Sequence, residues 1–350
     1  MNQRLEPTEE SMRLPLPERG GRGNAGAAAA VFAAALLLPT LLPRIFGNDY
    51  PVFICCFILI YIIAVSGLDI VFGYSGQISL GHAAFYAMGA YGSGLLVNFL
   101  AFPVVPAMLA ASVLAAAIGA LLAWPASKLV FHFLSLSTIA FGEIVYQIIT
   151  HSPGKITGDF IGLRSDFVGV FGYLLDRPGK FYYLALALTA LFLAVKTCLV
   201  DSKAGRAFLA IRENTHAADG MGINVRKYKI IAFTVSAFYT AFAGSMYMHM
   251  VGYASPDTSL QKQSVLFLTM LLFGGTGTLA GPIFGVVTVM LLVEALRDFQ
   301  DYQVFIYGIL MLIVIVALPG GLYGASKDVY QRFVAKPGAA RDGGGAGDAA

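Results

Sequence analysis

Twelve residues from position 71, VFGYSGQISLGH, place three glycines, two serines, a glutamine and a histidine between two long apolar runs. Irregular backbone at membrane depth is tolerated only where it is buried in protein or lines a wet cavity. A helix opening at QISLGHAAF leaves its first amide N–H groups without intrahelical partners, and with its positive dipole end it suits a carboxylate or another polar solute. Ser75, Gln77 and Ser79 would add hydrogen bonds around Gly76, and His82 would face the same path. The other reading of these residues is a tight interhelical turn capped by its own serines, with His82 bonded to a neighbouring carbonyl. Two carboxylates, Asp69 and Glu143, also fall inside apolar runs. Such groups are costly in lipid and face a bundle interior or a cavity, so each is a path candidate or an interior hydrogen-bonding group. Glu143 precedes Gln147 by four residues, one helix face, on which Thr150 is also expected.

A second interruption, LFGGTGT at 272–278, repeats the pattern apolar-Phe-Gly-x-Ser/Thr-Gly of VFGYSGQ and adds Gly274, Gly275 and Gly277 to the candidates. Paired Gly-broken segments in two halves of a chain point to an internal repeat with the substrate path near its interface. Chance likeness between short Gly-rich turns is the alternative. Enzyme signatures fail on inspection. PGKIT lacks the glycine and the Ser/Thr of a phosphate loop, and GYSG is one residue short of a nucleophile elbow. The five histidines are scattered without metal-ligand spacing. The expectation is a non-enzyme with no metal and no cofactor.

The surrounding elements must be membrane helices. The 350 residues are 57% hydrophobic and 12% charged, with a mean hydropathy of +0.73, against about 25% charged in soluble domains. Long apolar runs rather than short alternating ones select helices over a barrel, and lipid as the surrounding medium. A net charge of +3 is too small to suggest nucleic acid. Cys55, Cys56 and Cys198 lie in apolar runs and read as small buried residues.

Spans of about 20 apolar residues are expected at 25–46, 52–72, 78–100, 103–124, 129–150, 181–200, 228–251 and 304–318. The stretch 259–296 would make one helix of about 57 Å, and LFGGTGTLAGP in its middle breaks it into 259–273 and 281–296. That gives ten segments with discontinuous helices. Residues 1–24, with four Arg and four Glu, and residues 326–350 read as flexible tails around a transmembrane domain at 25–325. No cleavage site closes the first apolar run before Pro39, so it reads as an uncleaved span. Seven basic residues between Lys196 and Lys229 put that loop on the cytoplasmic side, and an even count brings both termini there. The loop 151–180, with Lys155, Arg164, Arg177 and Lys180, fits this orientation less well.

The polar loop at 201–227 carries helix signals. Asn214 and Thr215 suit a cap, Gly220 or Gly222 a stop, and small apolar faces form from Ala207, Phe208, Ala210 and Ile211 and from Ala217, Ala218 and Met221. A short, partly apolar helix beside a basic cluster suits docking into a partner's groove, although an ordinary positive-inside loop has the same composition.

Taken together, GYSGQISLGHAAFYAMGAY, STIAFGEI, AIRENTHAADGMGINVRKYKIIAF and LFGGTGTLAGPIFG resemble, in order, the permeases of branched-chain amino acid ABC transporters, the LivM type. The resemblance runs from about residue 50 to 325. It implies an all-α integral membrane fold of about ten segments, a type II-like ABC permease bundle. It also implies a sister permease, two ABC ATPase subunits, a periplasmic or lipid-anchored solute-binding protein, and a bacterial inner membrane. Arg206, Arg212, Glu213, Ala217, Ala218 and Gly222 then resemble the loop that meets the ATPase. His216 stands where the general signature carries Glu, Asp69 where many relatives show Asn, and Asp159 where the family's Thr-Gly-Gly segment has its second Gly. Three other readings stay open: a urea or short-amide ABC permease, a secondary transporter using Asp69 or Glu143 as proton-linked carboxylates, and a passive channel.

Overall fold

The computed structural model describes residues 35–44, 47–127, 131–165 and 178–297, with isolated residues between 305 and 324. The expected tails and most of the segment at 304–318 lie outside the described residues. Eleven helices follow in chain order within this range: α1 (Ala35–Arg44), α2 (Tyr50–Asp69), α3 (His82–Leu100), α4 (Val104–Ala126), α5 (Phe131–Thr150), α6 (Pro178–Asp201), α7 (Lys203–Glu213), α8 (Thr215–Gly220), α9 (Val225–Val251), α10 (Gln261–Gly274) and α11 (Gly281–Ala295). Six of them, α2 to α6 and α9, are long and apolar enough to cross a membrane. A two-residue antiparallel ribbon pairs Leu163 with Ala254 (β1, Leu163–Arg164; β2, Tyr253–Ala254).

The 27-residue α9 is the axis of the bundle, packed against α2, α3 and α4. Lipid is as apolar as leucine, so these helices are held by close packing and hydrogen bonds rather than by exclusion of water. Small residues make the closeness. A Cβ on Gly89 would lie 1.8 Å from the Ala241 carbonyl oxygen, and one on Gly244 1.8 Å from that of Tyr86. Ser245 Oγ then donates across the gap to the Gly89 carbonyl at 2.9 Å. The small-residue run after His82 therefore serves packing against α9.

Contacts along the helices define two ends of the bundle. Phe57 meets Tyr247, while the site of a Cβ on Gly67 meets Tyr239, so α2 runs antiparallel to α9. The ribbon, the end of α3 (Asn98 Nδ2 donating to the Arg164 carbonyl, 2.6 Å) and the start of α2 share one end. At the other, Arg226 lies over the Trp124 ring at 4.9 Å and the α7–α8 pair gathers against the start of α9. The final pair, α10 and α11, is a hairpin. A Cβ on Gly285 would touch the Met270 carbonyl, and Glu294 and Arg297 return to the Tyr50 hydroxyl at the start of α2.

Of the expected spans, the second to the seventh match α2 to α6 and α9 with shifted ends, the pieces 259–273 and 281–296 match the shorter α10 and α11, and residues 25–34 of the first lie outside the described residues. The third begins at His82, four residues later than expected, because Ile78–Gly81 is non-helical. The predicted consequence of the α3–α9 packing is that Gly89→Val lowers stability by about 1–3 kcal/mol. Gly142→Ala, where a Cβ has nothing within 4 Å, should leave the thermal midpoint of the detergent-solubilised protein unchanged.

Candidate functional site

The two glycine-broken segments, 200 residues apart in the chain, meet. From Ile70 to Tyr74 the end of α2 widens into a π turn, closed by the Ser75 amide on the Ile70 carbonyl at 3.2 Å. Such turns mark functional positions in many helices. Asp69 sits at its start, fully buried. One carboxylate oxygen accepts from the Gly277 amide at 2.7 Å, and the other from Lys196 Nζ at 2.8 Å. Lys196, on α6 and equally buried, also reaches the Thr278 carbonyl at 3.4 Å and lies 5.7 Å from the Tyr74 ring centroid. Gly73 must lack a side chain here: its Cβ would fall 1.9 Å from Asp69 Oδ1 and 2.5 Å from the Gly277 nitrogen.

Around this ion pair the other candidates take fixed places. Gly76, at φ +67°, turns the chain, after which Gln77 Nε2 donates to Ser75 Oγ at 2.7 Å and reaches the Lys229 carbonyl at 3.4 Å. The start of α3 is not left open. The Leu80 amide donates to Thr138 Oγ1 (3.0 Å) and the Ala83 amide to Ser264 Oγ (2.8 Å), while Ala84 closes on the Gly81 carbonyl. The expectation of orphan amides at this helix start thus meets side chains from α5 and α10 that already occupy two of them. His82 Nε2 pairs with Ser236 Oγ at 2.6 Å rather than with a carbonyl, and among the described residues its Nδ1 and Ser79 Oγ have no partner. Gly274 packs against Gly281, and Gly275 and Gly277 carry φ of +107° and +71° through the second break.

Glu143 stands apart from this centre. It is exposed on the outer face of α5 and accepts from Gln147 Nε2 at 3.0 Å. Both line a shallow groove of about 500 Å³ with Ile144, Ile148 and His151. Thr150 does not share that face: it is buried, and its hydroxyl donates to the Tyr146 carbonyl at 2.9 Å. The helix turns by about 100° per residue, so position 150 falls beside the 143–147 stripe and His151 continues it.

At the opposite end, Ser202 caps α7 and Asn214 caps α8, each through its side-chain oxygen. Ala207, Phe208 and Ile211 are buried against the bundle, as an amphipathic surface helix requires. The second apolar face divides. Ala218 is buried, whereas Ala217 is exposed and Met221 is 81% exposed, beside Gly222 at the end of α8. Arg206 holds its own helix start through the Asp201 carbonyl (3.1 Å), and Glu213 is exposed. Arg212 turns inward and donates to the Gly73 carbonyl. Burial pushes its guanidinium below its usual pKa, against the opposing pull of Glu213 and Asp69.

Sequence reasoning missed Lys196, Thr138 and Ser264. In the sequence Lys196 reads as the first of the basic loop residues. Its signal was a cation five residues inside an apolar run, which needs a partner at that depth. Removing one member of the pair should cost about 3–5 kcal/mol, so Lys196→Met is expected to fall well below wild type in thermal unfolding. Adding Asp69→Asn, which keeps the acceptor for Gly277, should restore most of that loss.

The sequence is similar to those of known transport proteins. The family described as branched-chain amino acid transport system, permease component, matches residues 50–315. The high-affinity branched-chain amino acid transport system permease protein LivM of Escherichia coli K12 is 31% identical over 316 residues, covering 83% of this chain and 74% of its own. Its Salmonella typhimurium counterpart is 32% identical over 288 residues, 75% and 68% of the two chains. A probable LivM of Methanocaldococcus jannaschii is 24% identical over 75% and 90%. No solved structure matches. A multi-pass helical bundle with paired glycine breaks, matched from its second helix to beyond its eleventh, belongs to the branched-chain amino acid transport permease family.

Proposed function

We propose that this chain is the membrane-spanning permease subunit of an ATP-driven importer for branched-chain or other hydrophobic amino acids. It has no catalysis of its own and takes its energy from two ATPase subunits. The observation that carries the reading is the α7–α8 pair. One side of it is buried in the bundle and bonded through Arg212 to the first break, while Ala217 and Met221 project outward with nothing among the described residues to cover them. Arg206, Glu213, Ala217, Ala218 and Gly222 form or support that docking edge. A channel or a self-powered carrier has no use for it.

The two ends of the bundle support one membrane arrangement. α2, α3, α4, α5, α6 and α9 cross, and the apolar runs at 25–46 and 304–318 are counted from the sequence as two further crossings. The hairpin α10–α11 enters from the ribbon end and returns to it, because α11 ends at Tyr50 while its inner turn meets Asp69. Ten segments then comprise eight crossings and one re-entrant pair, within a permease domain of 25–325 in a bacterial inner membrane. The α7–α8 end and both termini face the cytoplasm.

The solute path runs along the outer face of α5, where Glu143 and Gln147 stand among Ile144 and Ile148. A carboxylate is too costly to leave against acyl chains, so a sister permease and the wet path between the two subunits cover this face. Ser75, Gly76, Gln77, Ser79 and His82 border the inner mouth with Gly274, Gly275 and Gly277, and a solute-binding protein delivers cargo at the ribbon end. Both carboxylate oxygens of Asp69 are engaged, by a lysine and an amide, and it has no exposed surface, which weighs against the secondary-transporter reading.

Reconstitution with a sister permease, two ATPases and the receptor encoded beside them tests the proposal. ATP-dependent accumulation of labelled leucine is the expected result. Accumulation of urea instead, or uphill uptake by this chain alone under a pH gradient, would overturn it. Ala217→Arg, at an exposed position, should leave folding intact and reduce ATP-driven uptake at least about tenfold, a loss of roughly 1.4 kcal/mol of coupling. With a bulky residue in place of Gly222, the ATPase subunits of the complex should still hydrolyse ATP while uptake is lost.

A further inference from the structure

Lys196 and Arg212 lie 16 residues apart, on either side of the corner between α6 and α7, and both reach the same five-residue π turn. Lys196 holds its first end through Asp69, and Arg212 holds the Gly73 carbonyl near its last. The corner itself is tight. A single residue, Ser202, separates the helices, its hydroxyl donates back to the Leu199 carbonyl at 2.6 Å, and a Cβ on Gly205 would lie 1.9 Å from the Val200 carbonyl oxygen. α6 and α7 therefore form one rigid elbow with two cationic grips. On the far side of the turn, Asp69 also holds the Gly277 amide, and Lys196 the Thr278 carbonyl. Gly73 brings no side chain of its own between the π turn and Gly277, and the Asp69 carboxylate occupies that space and ties the two breaks together.

We infer that Lys196 and Arg212 are positioning residues that carry movement of the cytoplasmic helix α7 into both glycine breaks at once. Arg212 delivers it to the π turn, and the Asp69–Lys196 pair passes it on to the second break. An interaction confined to the first break would move one hinge only. The joint makes the two hinges a single unit, although one belongs to the α2–α3 connection and the other to the α10–α11 hairpin. Its use in transport rests on the proposed function, but the joint itself can be measured without transport.

Hydrogen exchange of the full chain in lipid nanodiscs provides that measurement, with peptides covering 70–77 and 275–280. Arg212→Ala touches only the first break, yet exchange is expected to rise at least about threefold in both segments, a measure of local opening. Arg206→Ala, on the same helix but bonded to the Asp201 carbonyl, should leave 275–280 as in wild type. In the Asp69→Leu/Lys196→Met background, which exchanges the buried pair for apolar groups of similar bulk, Arg212→Ala should open 70–77 alone. If Arg212→Ala opens the whole chain, Arg212→Lys takes its place and the same two segments decide. The inference fails if the second segment stays closed in Arg212→Ala, if Arg206→Ala opens it equally, or if it still opens without the pair. Absence of leucine uptake in the reconstituted complex would count against the transport reading and leave these exchange results standing.

Discussion

A lysine and an aspartate with no exposed surface, 2.8 Å apart inside a membrane bundle, constrain everything near them. Taking two ions out of water costs several kcal/mol each, and only close geometry with every remaining lone pair satisfied offsets it. That requirement accounts for the neighbouring features. The second carboxylate oxygen takes the Gly277 amide, the ammonium takes the Thr278 carbonyl and faces the Tyr74 ring, and Gly73 gives up its side chain to let the second break approach. The two interruptions are placed by the charges rather than by each other's backbone.

The same economy of space governs the rest of the bundle. Helices in lipid gain little from burying apolar surface against one another, so stability comes from contact distance and from interhelical hydrogen bonds. Gly89, Gly244 and Gly285 bring backbones together, and Ser236, Ser245, Ser264 and Thr138 use the short gaps to satisfy His82, the Gly89 carbonyl and the amides at the start of α3. The polar residues that looked available for a solute are mostly committed to this internal network. Buried Ser79 Oγ and His82 Nδ1 have no partner among the described residues, and at the surface the Glu143–Gln147 stripe of α5 and the outward edge of α8 stay exposed. Both are faces that the described residues leave open.

Much of this was legible in the residues. Apolar runs of span length gave the crossing helices, the clustered cations marked the α7–α8 loop, and the two glycine motifs flagged the segments that turn out to touch. Helix ends were less legible. Ile78–Gly81 is as apolar and small as the helix it precedes, and only Thr138 and Ser264, from distant segments, make the helix begin at His82. The face of Thr150 was misjudged because seven residues bring a helix back nearly, but not fully, to its starting direction.

By itself the sequence determined a helical membrane protein, broken twice at glycine, with an amphipathic basic loop on one side. These are local properties, set by chain hydrophobicity and by which residues tolerate positive φ or lack a side chain. Tertiary structure alone decided that Asp69 pairs with Lys196, that the two breaks form one centre, and that Glu143 faces outward while Asp69 does not. Charge pairing across 127 residues depends on how helices are arranged in space, and no spacing along a single segment encodes that.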